Sequence, residues 1–137
     1  MPEMRAKRAM SINFTIDEKN PAFVRLSCRG IYTRDALLGV FDQAFDVAIS
    51  KSRRAVLVEV WDVTGTPPDI FDRYRLGAGT VHIQREKAAL VTIAVVGSEP
   101  MIDPRRLGET VFLNRGGIGK VFTDIDEAVA WLEEKEG

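Results

Sequence analysis

The sequence predicts a single α/β domain built on a mixed sheet of about five strands. Two nearly continuous apolar runs rich in β-branched residues, residues 55–61 and 90–97, are typical of strands that are buried on both faces. Segments with apolar residues three and four positions apart lie between and around these runs, and they predict helices that pack against the sheet. The 137 residues are enough for one core and leave no room for a second.

The N-terminal part of the chain predicts a tail followed by a hairpin. Residues 1–10 are expected to be a flexible tail, since unanchored termini usually stay mobile, and the domain is expected over residues 11–135. Apolar and polar residues alternate over residues 12–16, which is the period of a half-buried strand. Pro21 interrupts this pattern, and residues 23–28 resume it. Two short strands around such a turn predict an antiparallel hairpin.

A wide apolar stripe predicts the first helix, which is expected to begin at Thr33 or Asp35. The members of the stripe recur at helical spacing and include two phenylalanines, so that the helix can cover a sheet. They are Ala36, Leu37, Val40, Phe41, Ala44, Phe45, Ala48 and Ile49. The buried strand at residues 55–61 follows this helix, and residues 62–69 form a loop by composition.

The second helix is expected to begin after Asp69, which can cap it. Its predicted inner face consists of Ile70, Phe71, Tyr74, Ala78 and Val81. The helix contains Gly77 and Gly79, each of which costs about 1 kcal/mol relative to alanine in a helix interior. These glycines indicate either a close approach between helix and sheet or a kink, and both interpretations stay open.

The C-terminal part completes the predicted order β-β-α-β-α-β-α-β-α. Asp103 is expected to cap the third helix, with Pro104 in its first turn, where a missing amide hydrogen does no harm. A short last strand is predicted at residues 120–123. Asp124 and Glu127 then have the spacing of a capping box at the start of a terminal helix.

These elements, in this order and with these residues, resemble the STAS superfamily, the fold of anti-sigma factor antagonists, and more closely its SpoIIAA-like branch of bacterial proteins. The resemblance rests on residues 55–65, 92–97 and 121–132, the last of which ends in Ala-Trp-Leu. It spans roughly residues 11–135. It implies a STAS-type α/β fold and a regulatory role that is exercised through a protein partner.

The family's phosphorylation site is where this sequence departs from the resemblance. In the family, a serine in an Asp-Ser-Ser-Gly-like turn begins the helix after the third strand. The matching residues 66–70 read Thr-Pro-Pro-Asp-Ile and contain no serine. The usual phosphorylatable residue is therefore lacking, and no phosphorylation site is carried over. Thr64 and Thr66 are nearby hydroxyl residues, which we interpret as turn or capping residues.

Binding is expected at the carboxyl ends of the parallel strands, where the ligands of open α/β sheets usually lie. Two loops, residues 62–69 and 97–103, follow such strand ends. Free amides at the start of the second helix could hold an anion, but the negative charge of Asp69 opposes one. The candidate ligand- or partner-binding residues are Asp62, Thr64, Gly65, Thr66, Asp69, Arg73 and Tyr74.

The sequence contains no complete catalytic or metal-binding set, and we predict no enzyme activity, no metal and no cofactor. Cys28 is the single cysteine and lies in a strand-like alternation, so we interpret it as a buried, inert thiol. His82 is the single histidine and has no nucleophile at a local spacing, so we interpret it as a surface or packing residue.

Charge and hydropathy limit the expected partners and location. A net charge of -1 offers no electrostatic attraction to nucleic acid. No apolar run reaches the roughly 18–20 residues that a membrane span requires. The charged residues near the N-terminus are not followed by a hydrophobic stretch, so no secretory signal is predicted and the expected location is the cytoplasm.

Two hypotheses about function result from these observations, and catalysis ranks behind both. The first is a non-catalytic regulatory or protein-interaction module of the STAS type, which recognises its partner through residues 62–69 and the following helix. The alternative is a carrier of a small-molecule or lipid-like ligand, which needs a cavity behind the second helix, where Gly77 and Gly79 leave space. A homodimer is a further expectation, with Trp131 as a candidate contact.

Overall fold

A computed structural model describes residues 11–136 of the chain, and the helices and strands follow the predicted order. The strands are β1 (Ile12–Asp17), β2 (Val24–Ile31), β3 (Ala55–Thr64), β4 (Thr92–Val96) and β5 (Gly119–Phe122). The helices are α1 (Arg34–Ser50), α2 (Ile70–Lys87), α3 (Leu107–Asn114) and α4 (Ile125–Glu136). The predicted tail, residues 1–10, lies outside the described residues. Among the described helices, none combines the length and the apolar character needed to cross a membrane.

The five strands form one mixed sheet whose spatial order is the order of the sequence, β1-β2-β3-β4-β5. β1 pairs with β2 in the antiparallel sense, and the other three neighbouring pairs are parallel. Parallel neighbours need a crossover connection, and α1, α2 and α3 supply the three crossovers. The single α/β domain, the N-terminal hairpin and the mixed five-stranded sheet that the sequence predicted are confirmed.

Two hydrophobic cores lie on opposite faces of this sheet. The larger core is formed with α1, α2 and α3, and the smaller one lies beneath α4. The third strand shows the division, because Val56 and Val58 belong to the larger core while Ala55 and Leu57 belong to the smaller. Alternate side chains of β3 are thus buried in different cores, which explains why its sequence is an unbroken apolar run.

α4 covers only part of its face of the sheet, because it packs on β3, β4 and β5. Beyond it, a polar cluster on β2 and β3 surrounds the carboxylate of Glu59, which is only 7% exposed. This carboxylate accepts hydrogen bonds from Trp61 Nε1 at 3.2 Å and from Ser27 Oγ at 3.3 Å, and it pairs with Arg25. Hydrogen-bonded side chains therefore occupy the part of the sheet that none of the four described helices covers.

The predicted inner face of α2 is wrong in its first turns. Ile70, Phe71 and Tyr74 are exposed, at 59%, 76% and 47% respectively. The buried residues of the helix are Leu76, Gly77, Thr80, Val81 and Gln84. Of the predicted inner residues only Val81 is among them, so the helix is rotated relative to the face that the apolar pattern indicated.

Internal hydrogen bonds explain why polar residues of α2 face the core. Thr80 Oγ1 donates to the carbonyl oxygen of Leu76 at 2.6 Å. The Gln84 amide donates to the carbonyl oxygens of Val91 and Ile118 at 2.7 and 2.9 Å, and it accepts from the amide of Ile118 at 3.0 Å. A buried polar side chain costs little when its hydrogen bonds are made inside the protein. Hydropathy therefore misses this face.

Three of the predicted helix caps are confirmed. The side chain of Thr33 accepts from the amide of Ala36 at 3.1 Å at the start of α1. Asp69 accepts from the amide of Asp72 at 2.7 Å at the start of α2. Asp124 accepts from the amide of Glu127 at 3.1 Å at the start of α4. Each carboxylate or hydroxyl satisfies an amide that has no partner within its helix.

The third helix begins later than predicted. α3 starts at Leu107, so Pro104 lies before the helix and not in its first turn. The carboxylate of Asp103 accepts from the amides of Arg105 and Leu107 at 3.1 and 3.0 Å. Asp103 therefore stabilises the turn that leads into the helix, while Arg106, in the left-handed region with φ of 56°, occupies the N-cap position.

The two glycines of α2 have different environments, which resolves the alternatives left open by the sequence. A Cβ on Gly77 would lie 2.4 Å from the carbonyl oxygen of Gly108, at the start of α3. A Cβ on Gly79 would meet only the side chain of Leu38, at 3.0 Å from Cδ2. Gly77 thus permits close approach between α2 and α3, a contact between two helices and not between helix and sheet.

Trp131 of α4 is half-buried and packs against Phe122, with ring centroids 5.6 Å apart. Its ring covers the smaller core together with Ala128 and Leu132, which are fully buried. These contacts within one chain account for the tryptophan at position 131. A homodimer that uses Trp131 stays a prediction.

Replacing Gly77 with alanine should destabilise the protein by about 2 kcal/mol, because the new methyl group would collide with a backbone carbonyl. Gly79→Ala is the matched control, since its methyl group meets a flexible side chain and alanine gains helix propensity. Urea unfolding of both variants gives the two free energies of unfolding. Equal values would contradict the close approach of α2 and α3.

The thiol of Cys28 should be nearly unreactive in the native protein. Cys28 is 3% exposed, and burial, together with the negative charge of Glu59, raises the pKa of its thiol to about 12. The thiolate is the reactive form, so a disulfide reagent at pH 8 should label the native chain far more slowly than the urea-unfolded chain. Absorbance of the released thiol measures both rates, and rapid labelling of folded protein would refute the prediction.

Candidate functional site

The candidate site lies at the carboxyl ends of β2 and β3, where the chain enters α2. β3 continues to Thr64, three residues beyond the predicted strand end, because its last residues pair with β2. Asp62 lies opposite Arg29, and Thr64 lies opposite Ile31. These pairings are between segments distant in sequence, and local composition does not indicate them. Asp62 and Thr64 are therefore exposed strand residues, and the connection between β3 and α2 is short.

Gly65 turns the chain at this point. It has a φ of +102°, which L side chains rarely adopt, and a Cβ there would lie 3.2 Å from Cγ2 of Ile31. The carbonyl oxygen of Thr64 accepts from the amide of Tyr32 at 2.8 Å. Thr66 follows as an exposed residue. The turn is thus anchored on its strand side, and its tip faces solvent.

The start of α2 is held by Asp72, a residue that was not among the predicted binding residues. Its carboxylate accepts from the hydroxyl of Tyr32 at 3.0 Å and lies 3.9 Å from Nη1 of Arg34. Burial and this hydrogen bond raise the pKa of Tyr32, so the phenol stays protonated and keeps donating. Asp72 therefore links α2 to Tyr32, in the loop between β2 and α1, and to Arg34, the first residue of α1.

Arg73 holds the start of α2 from the other side. Its Nη1 and Nη2 donate to the carbonyl oxygens of Met101 and Pro100 at 3.1 and 2.8 Å. The loop after β4, the second loop singled out in the sequence, is thereby tied to the helix that follows β3. Two donors of the Arg73 guanidinium are therefore already engaged within the chain.

Exposed apolar side chains cover the outer side of the first turns of α2. Ile70, Phe71 and Tyr74 form this patch, and Phe71 is the most exposed of the three. The guanidinium of Arg115 hydrogen-bonds the Tyr74 hydroxyl and lies 5.4 Å from the ring centroid. Sequence reasoning included Tyr74 but missed Ile70 and Phe71, because it placed both on the inner face. Nothing in the sequence distinguishes these two exposed positions from buried ones.

An apolar pocket lies behind α2, and none of the three residues of this patch lines it. Its volume is about 120 Å³, and it opens to solvent between α2, α3 and the strands β4 and β5. Its apolar walls include Phe41, Leu76, Ile93, Val95, Met101 and Phe112. Gly77 also lines it, although the space at that glycine is occupied by α3 and not left free.

Within the described residues 11–136, no group of three histidine, cysteine, aspartate or glutamate side chains is arranged to hold a metal ion. His82 is exposed on α2, beside Arg85 and Arg115. At the start of α2, the carboxylate of Asp69 already accepts the free amide of Asp72. This carboxylate takes the position that a bound anion would require.

Substituting Asp103 with asparagine should lower the free energy of unfolding by about 1 kcal/mol at neutral pH. Burial opposes ionisation of Asp103, but the amides of Leu107 and Arg105, together with the positive charges of Arg73 and Arg105, outweigh it and hold its pKa below the ordinary value. Because this pKa is lowered, the ionised carboxylate stabilises the native state at pH values above the pKa that Asp103 has in the unfolded chain. This stabilisation is lost in acid, where the carboxylate becomes protonated. The difference in the free energy of unfolding between wild type and Asp103→Asn should therefore become smaller below about pH 4. Urea unfolding across pH tests this, and a constant gap would contradict it.

Comparisons with known proteins bear on the fold. No protein-family model matches the sequence, and no curated protein matches it either. Among solved structures, the chain is similar to the crystal structure of an anti-sigma factor antagonist from Mycobacterium paratuberculosis, with a TM-score of 0.56. The match covers 90% of this chain and 95% of that chain at 14% sequence identity. The chain therefore shares the α/β fold of that structure, which is the SpoIIAA-like fold that the resemblance in the sequence implied.

Proposed function

We propose that this chain is a non-catalytic protein-interaction module with a regulatory role. Its docking surface comprises the turn at residues 64–66 and the exposed residues Ile70, Phe71 and Tyr74. The single observation that carries the proposal is the exposure of Phe71, at 76%, in the first turn of a helix. Its partner is a protein that offers an apolar groove to this helix.

The composition of the docking surface supports a protein partner. Aromatic residues are enriched in the centres of protein interfaces, and clustered exposed apolar residues mark such sites. Complete burial of an exposed phenylalanine contributes about 1.5–3 kcal/mol. Asp62 and Asp69 are exposed beside the apolar residues and supply a charged rim. An apolar centre with a polar rim is the usual arrangement of a protein interface.

The rigidity of the surroundings also favours recognition by this surface. Asp72 joins the start of α2 to Tyr32 and Arg34, and Arg73 joins it to the loop after β4. A surface that is held in place before binding loses less conformational entropy when its partner docks. Arg73, a predicted contact residue, is proposed to act here by positioning α2, while Tyr74 contributes contact area.

The shared fold supports the regulatory part of the proposal. The similar structure is named as an antagonist of an anti-sigma factor, a name that describes action on a regulatory protein. Residues 66–70 lack the serine on which the resemblance would place a phosphorylation switch. Control of this module is therefore proposed to rest on partner binding at the docking surface and not on modification of a serine.

A photo-crosslinking residue at position 71 should join the chain to its partner in the native cell. The same residue at position 90 is the control, since Leu90 is exposed at 83% and precedes β4, away from the docking surface. The crosslinked protein is identified by mass spectrometry and then purified. Its affinity for wild type, Phe71→Ser and Leu90→Ser is measured by calorimetry. The expected result is a loss of at least about tenfold for Phe71→Ser, with Leu90→Ser unchanged.

Two results would refute the docking surface. One is crosslinking at position 71 that does not exceed crosslinking at position 90. The other is a purified partner that binds Phe71→Ser as tightly as it binds wild type. Circular dichroism of both serine variants confirms that they are folded, so that a loss of binding can be assigned to the surface.

A further inference from the structure

A basic groove borders the docking surface beside the second half of α2. It is lined by Ala78, Val81, His82, Arg85 and Arg115. The groove is linked directly to the docking surface, because the guanidinium of Arg115 hydrogen-bonds the hydroxyl of Tyr74 and lies 5.4 Å from the centroid of its ring. A partner that contacts Tyr74 therefore also meets this groove.

The two arginines of the groove carry positive charges that no carboxylate of the described chain neutralises. Arg85 donates to the carbonyl oxygen of Arg115, and Arg115 donates to the hydroxyl of Tyr74, so both acceptors are neutral groups. Within residues 11–136, neither guanidinium forms an ion pair, and only the Nη2 atom of each donates to another residue. Both side chains are exposed. Their remaining N–H groups can therefore bind a carboxylate from outside the chain.

The acidic residues of the neighbouring helices that could neutralise the groove are engaged elsewhere. On α1, both Asp42 and Asp46 pair with Lys87 at the end of α2. On α3, Glu109 is the only acidic residue, and its carboxylate accepts from an amide of β5 and lies 4.0 Å from Arg106. These carboxylates act on other cations, so the groove keeps its positive charge.

The exposed charges beside α2 change sign along the helix. Asp62 and Asp69 are exposed at its N-terminal end. Arg85 and Arg115 lie towards its C-terminal end, where Glu86 is the only acidic residue of the helix. Because opposite charges attract across an interface and like charges repel, this order sets the direction in which a charged partner can lie. A partner with its negative charge towards the C-terminal end of α2 matches it.

We propose that the partner of the docking surface is a protein with an acidic segment, and that this segment binds in the basic groove. Its carboxylates pair with Arg85 and Arg115, since a guanidinium can donate two parallel hydrogen bonds to one carboxylate. A nucleic acid is negatively charged along its whole length, so Asp62 and Asp69 would repel it. This assignment of the partner rests on the proposed function, because it names the chemistry of the protein that the docking surface binds.

Titration of the full chain with hexaglutamate, followed by amide chemical shifts, tests the groove without the partner. At low ionic strength, hexaglutamate should produce saturable shifts at the amides of His82, Arg85 and Gly116, and the uncharged control hexaglutamine should produce none. At about 1 M salt, where the Debye length falls to about 3 Å, the shifts should disappear. No saturable shift with hexaglutamate, equal shifts with hexaglutamine, or tighter binding of a short DNA duplex at the same amides would overturn the proposal.

Variants of Arg85 separate the effect of charge from that of structure. Arg85→Gln removes the charge, Arg85→Glu reverses it and Arg85→Lys keeps it. The affinity for hexaglutamate should fall several-fold in Arg85→Gln, should fall further in Arg85→Glu and should change least in Arg85→Lys. Lys19→Gln is the matched control, since it removes one positive charge from an exposed residue between β1 and β2, and its affinity should equal that of wild type. Equal losses in Arg85→Gln and Arg85→Lys, or in Arg85→Gln and Lys19→Gln, would contradict binding of a carboxylate by Arg85. Should Arg85→Glu fail to fold, the other three variants decide the matter.

The partner identified by crosslinking at position 71 connects the groove to the docking surface. Its affinity should fall at least about tenfold in Arg85→Glu at low ionic strength. This loss should vanish at about 1 M salt, whereas the loss in Phe71→Ser should persist.

The two proposals fail in different ways. A partner that loses affinity for Phe71→Ser but binds Arg85→Glu as tightly as wild type would refute the acidic segment and leave the docking surface in place. Crosslinking at position 71 that does not exceed crosslinking at position 90 would refute the docking surface, while the hexaglutamate titration would still decide whether the groove binds an acidic chain.

Discussion

The orientation of α2 about its own axis depends on the hydrogen bonds that its polar side chains make inside the protein. Gln84 is buried because the carbonyl oxygens of Val91 and Ile118 and the amide of Ile118 lie within its reach, while the buried hydroxyl of Thr80 is satisfied inside its own helix by the carbonyl oxygen of Leu76. Gly77 adds a close contact with α3 on the same side. With the small and polar residues turned inward, the aromatic residues of the first turns, Phe71 and Tyr74, must face solvent.

Two features of the surface of the protein result from this orientation. The outward side of α2 begins with exposed apolar residues, and the inward side closes one wall of a small pocket. Arg73 lies between them, because it lines the pocket and holds the loop after β4 through the carbonyl oxygens of Pro100 and Met101. A helix packed by apolar residues alone would bury Phe71, and the chain would lose the exposed surface while keeping the same sheet.

Many different sequences can form this sheet, because it requires few particular side chains. Strands covered on both faces need apolar residues at every position, and the helices need one apolar side. Many sequences meet these demands, which is consistent with a shared fold at 14% identity. In open α/β sheets, ligands usually lie instead beside the few residues at the carboxyl ends of the strands. At that place this chain has its own residues, with Asp72 and Arg73 anchoring the helix and Phe71 exposed.

The sequence by itself determined the order of the elements, the hairpin and the caps Thr33, Asp69 and Asp124, because each depends on residues that are near one another in the chain. The alternation of helices with fully apolar strands also predicted the mixed sheet. Only the tertiary structure decided which side of α2 is buried, where β3 ends and how Gly77 is used. Those features depend on partners distant in sequence, such as the carbonyl oxygen of Ile118 for Gln84 and that of Gly108 beside Gly77. Hydropathy and spacing within one helix contain no information about such partners.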